Sequence, residues 1–140
     1  MKSNWFNPPL SRLGDGLSIV RVVVAVILLI HGAHGFTPGT IAGFGGYLGS
    51  RGFPLGVALA WVIILVQIIS SLALIIHRLV VPACIAHIII LCVGIGLIHA
   101  SKGWFVVGPG KNGMEYSITL ISCLFAVLWA YWPHVKKEVR

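Results

Sequence analysis

Four stretches of this chain, at about 17–34, 55–77, 79–100 and 115–132, are apolar on every side and close to the ~17–25 residues an α-helix needs to cross a bilayer. A helix packed in a soluble domain keeps a polar side toward water. These runs have almost none, and the chain as a whole bears this out. Only 9% of its 140 residues are charged and 58% are hydrophobic, against about 25% charged in a soluble domain. Mean hydropathy is +0.99. The pattern predicts an all-α fold: an integral membrane bundle of four helices forming a single domain over residues 1–140. It excludes a soluble helical bundle.

The net charge of +7 does not indicate nucleic acid, because the basic residues form no patch interleaved with aromatics. They follow the positive-inside pattern instead. Lys2, Arg12, Arg21, Arg78, Lys136, Lys137 and Arg140 fall at the termini and the second-to-third turn, and only Arg51, Lys102 and Lys111 fall in the two longer loops. Both termini are therefore expected in the cytoplasm, with the longer loops outside. The first apolar run is expected to be an uncleaved helix rather than a signal peptide, since His31 and His34 occupy the would-be cleavage zone. The first sixteen residues, with Trp5, Phe6, Pro8 and Pro9, are expected at the inner headgroup layer, which aromatics favour.

The first loop, Thr37 to Pro54, is glycine-rich, and Phe44, Tyr47 and Phe53 are spaced to allow a short interfacial helix. Pro54 suits the first turn of the second helix. The turn near Arg78 is too short for anything but antiparallel neighbours. Gly94, Gly96, Ser70, Ser71 and Ala73 are small enough for close helix packing. Cys84, Cys92 and Cys123 form no C-x-x-C pair, which argues against thiol–disulfide exchange. They read as buried free thiols.

Function is sought among the polar residues at membrane depth, which face a bundle interior or a hydrated hollow by default. Glu115 is the only acid between Asp15 and Glu138 and opens the last apolar run. Opposite chain directions bring His31 and His34 (first helix), His99 (third) and Glu115 (fourth) to one level beneath the outer surface. Imidazoles beside a carboxylate can relay protons, whereas the plain alternative is helix capping and headgroup contact. Glu115, Thr119 and Ser122 share one helix face and, with Gln67 and Ser71, could line an inward-facing polar track. Arg21 either snorkels to the headgroups or pairs inside; His87 has no evident acidic partner. Haem ligation by His31 or His34 with His99, and a metal site from His31, His34, His99 and Glu115, both rank behind a quinone. No metal ligands are assigned.

The chain resembles the DoxX family of small bacterial four-helix membrane proteins. The resemblance runs from about Arg21 to Trp132 and rests on ordered pieces: Arg21, Ile30-His31-Gly32, Gly49-Ser50-Arg51-Gly52-Phe53-Pro54, His99, Lys102-Gly103-Trp104-Phe105, and Asn112-Gly113-Met114-Glu115-Tyr116. It implies a bacterial inner membrane location and a link to quinone-associated sulfur oxidation and oxidative-stress complexes. Gln67 stands where the family commonly has a glutamate, and an amide cannot carry a proton as that acid does. The expectation is a quinone- or redox-associated subunit of a membrane oxidoreductase. His31, His99 and Glu115 would be its reactive groups, and His34, Gln67 and Arg21 would bind the cofactor. Electrons would come from a partner protein or a bound cofactor. A non-catalytic anchor or scaffold, working with a partner or as a homo-oligomer, is the alternative; a small transporter comes third.

Overall fold

A computed structural model describes residues 13–133. The expectations for Trp5, Phe6, Pro8 and Pro9, and for the charges at Lys2, Arg12, Lys136, Lys137 and Arg140, lie outside the described residues. Within them the chain is helical, with no strand: α1 Leu13–His34, α2 Thr40–Ser50, α3 Gly56–Ile75, α4 Val80–Gly94 and α5 Glu115–Tyr131. A π-helical turn, Ile95–His99, and a 3₁₀ turn, Ala100–Lys102, prolong α4. Three spans are long and apolar enough to cross a bilayer: Gly14–His34, Gly56–Ile75 and Val80–Lys102. The fourth apolar helix, α5, has 17 residues and is shorter than these.

The long helices pack in a ring, α1 on α3, α3 on α4, α4 on α5 and α5 on α1. Their inward residues, among them Val24, Leu28, Leu74, Cys84, Leu120 and Leu124, form one buried core. Large apolar side chains such as Ile19, Val62, Ile69, Ile89 and Phe125 point outward, as a bilayer solvent permits. Without a hydrophobic drive between helices, close backbone approach and packing must hold such a ring.

The helix α2 lies on α3. Their crossing is closed by two glycines: a Cβ on Gly56 would collide with the Gly45 carbonyl, and one on Gly45 would stand 2.6 Å from Val57 Cα. Further along α3, a Cβ on Gly32 would stand 3.1 Å from Ile68. Gly94 and Gly96 do not take part in such packing, since no neighbour approaches either; the close approaches lie at other glycines, Gly32, Gly35, Gly45 and Gly56 among them. Two further expectations are corrected. Pro54 is outside α3, because Leu55 adopts a left-handed conformation (φ 57°) before the helix starts. Cys92 is exposed, and only Cys84 is fully buried.

Candidate functional site

The end of α1 brings His31 and His34 to one face, three residues apart on the helix. With Ile27, Ile30 and Tyr116 of α5 they line an open groove of about 400 Å³. The end of α1 therefore meets the start of α5, and His99 is tied to the loop just before that start. The hollow is open-sided, however, and both His31 and His34 are exposed.

His99 closes the π-helical turn. Its Nδ1 lies 2.8 Å from the Asn112 carbonyl oxygen. A carbonyl can only accept, so Nδ1 carries the proton and donates it. Neutral His99 thus presents Nε2 as an acceptor. Glu115 begins α5, where the helix dipole favours a carboxylate. Its Oε1 accepts the Val106 amide at 2.8 Å. Backbone bonds fold the loop back on itself around this clamp: Gly113 to Phe105, Met114 to Gly103 and Glu115 to Trp104. One carboxylate oxygen is thereby committed to holding the loop.

Gln67 is buried (4% exposed), with its Cβ and Cγ against Gly32 beside His31. One turn further along α3, Ser71 Oγ meets His87 Nε2 at 3.2 Å. Both are fully buried, and His87 Nδ1 has no partner. Ser71 is the polar neighbour that His87 lacked on a reading for acids alone. Arg21 is also buried, at 7% exposure, so it does not snorkel. It donates to the Leu74 and Ile75 carbonyls at the end of α3, ten residues from His31, or roughly 15 Å along the α1 axis. The structure does not bring it to the histidines.

The polar track is corrected as well. Thr119 and Ser122 are exposed, and each hydroxyl donates to the carbonyl four residues back in α5. They face away from Gln67 and Ser71. Among the described residues, no three His, Cys, Asp or Glu side chains gather as a metal site. Tyr116 and Tyr47 were missed from sequence; a tyrosine next to Glu115 and another in the helical loop gave only a composition signal.

The model of one protein family, described as DoxX, matches residues 16–100. No curated protein and no solved structure matches the chain.

Proposed function

This chain belongs to the DoxX family, and from that premise and the groove between α1 and α5 we propose that it is a quinone-associated subunit of the bacterial inner membrane. In this reading α5 completes four spans, and the termini face the cytoplasm. The observation that carries it is the make-up of the groove. Two imidazoles and a phenol stand beside Ile27 and Ile30 in an opening of about 400 Å³, within the usual size range for a small-molecule site. A lipid-soluble carbonyl compound needs this combination: apolar walls for its ring and tail, and a few polar groups for its oxygens.

His31 and His34 orient the head group by hydrogen bonds, and Tyr116 supplies a further donor. His99, with its lone pair on Nε2, serves as a proton acceptor next to them. Bound quinone supplies the redox chemistry, taking up two electrons and two protons to become quinol. A partner oxidoreductase or a further bound cofactor provides the electrons.

The scaffold reading draws on one observation: the Glu115 carboxylate is engaged by its own loop. The two readings part in one experiment. The protein is purified in detergent, its lipids are extracted for mass analysis, and its thermal unfolding is followed with added decyl-quinone. The quinone reading expects quinone in the extract, a rise in Tm with decyl-quinone, and at least tenfold weaker binding in a folded His31→Ala/His34→Ala variant. Absence of quinone together with an unmoved Tm would refute it and leave the scaffold.

A further inference from the structure

We propose that Tyr47 is a positioning residue for His99, acting through the π-helical turn that ends α4. A π-turn holds one residue more than an α-turn. Each residue of an α-helix turns the chain by about 100°, so the choice between the two forms rotates everything beyond the turn by about that angle. His99 is the last residue of the turn. Whether it reaches the Asn112 carbonyl or swings away depends on which form the turn takes.

π-turns are rare and are frequent at functional sites, so this one needs a reason to persist. It does not come from packing around Gly94 and Gly96, which no neighbour approaches. The turn is gripped from outside. Tyr47 donates its hydroxyl to the Leu97 carbonyl, in the middle of the turn, at 2.5 Å. Tyr47 and its helix are both held. The Arg51 guanidinium lies 5.2 Å from its ring centroid, and α2 is locked to α3 where Gly45 and Gly56 touch backbone to backbone. A path of contacts therefore runs from α3 through α2 and Tyr47 to the turn, and from the turn through His99 to the loop that Glu115 clamps. The effect on His99 stands on this geometry alone; the effect on ligand binding rests on the quinone reading above.

The test reads the His99 tautomer by ¹⁵N NMR on the full chain in detergent, without ligand. Wild-type His99, when neutral, is expected with its proton on Nδ1. Tyr47→Phe removes only the hydroxyl, and a shift of His99 toward the Nε2–H form is expected, with His77 and His87 unchanged. A contribution to stability alone would lower Tm and leave the tautomer as it was, which would overturn the proposal. So would a wild-type His99 protonated on Nε2.

Removing Gly96 lets the turn close as an α-turn with His99 still facing Asn112. In that background Tyr47→Phe is expected to leave the tautomer unchanged. If Tyr47→Phe alone does not fold, its rescue in the shortened chain supports the proposal, and continued failure to fold there refutes it. Decyl-quinone binding is expected to weaken about fivefold in Tyr47→Phe, the size of one neutral hydrogen bond. If wild-type protein binds no quinone, the functional reading falls while the tautomer result still decides the role of Tyr47.

Discussion

The two ends of α1 treat the same kind of residue in opposite ways. At one end Arg21 is buried and its guanidinium is engaged by the Leu74 and Ile75 carbonyls. Nearby, His77 of the short α3–α4 turn packs edge-on against Tyr131, centroids 5.1 Å apart. At the other end His31 and His34 stand exposed on a groove, and His99 commits only Nδ1. An ionisable group at membrane depth is a functional candidate by default, but that default holds only while its polar atoms are free. At the arginine end Nη1 is bound to the close of α3 and Nε is sealed from any ligand by burial, whereas the histidine end keeps polar atoms exposed.

The largest expected effect strikes the scaffold of the histidine end. Gly56→Val drives side-chain atoms into the Gly45 backbone and should cost about 3 kcal/mol, the upper range for overpacking. Thermal unfolding in detergent measures this, and a variant as stable as wild type would mean that α2 is not docked as described. Next comes Arg21→Met. It removes a charged donor from two carbonyls, and about 2 kcal/mol of stability should be lost, while decyl-quinone affinity stays within twofold. A folded Arg21→Met protein that no longer binds decyl-quinone would break the contrast between the ends.

Smaller changes sharpen it. Glu115→Ala deletes the acceptor of the Val106 amide and should cost about 1–2 kcal/mol. Glu115→Gln keeps an acceptor oxygen and should cost less than about 1 kcal/mol. Equal losses in the two variants would show that the charge, not the loop clamp, is what matters. His31→Ala, at an open position, should move stability by no more than about 0.5 kcal/mol while weakening decyl-quinone binding. Smallest of all, Thr119→Val with Ser122→Ala should stay within about 0.5 kcal/mol and leave binding unchanged, because those hydroxyls bond only within their own helix. A large effect on binding would restore the discarded polar track.

Much of the histidine end was readable before any coordinates. Chain direction and depth alone put His31, His34 and the start of α5 at one end of the bundle, because a helix advances by a fixed rise per residue. The rest was not readable, for reasons that differ by residue. Thr119 and Ser122 share a face by periodicity, yet periodicity does not say which way that face turns. Gly94 and Gly96 are small, but smallness permits a close contact without requiring one. Arg21 fits both headgroup and interior, and the choice fell to the position of α3's last carbonyls.

Membrane residence and helical build follow from local chemistry, because an unbroken apolar run must satisfy its own backbone within the bilayer whatever its neighbours are. Which polar atoms remain available for a ligand was settled only by packing. The Arg21, Tyr47 and His99 bonds each join residues far apart in the chain, and a hydrogen bond spanning a few ångströms forms only where separate elements have been brought to the right distance and angle.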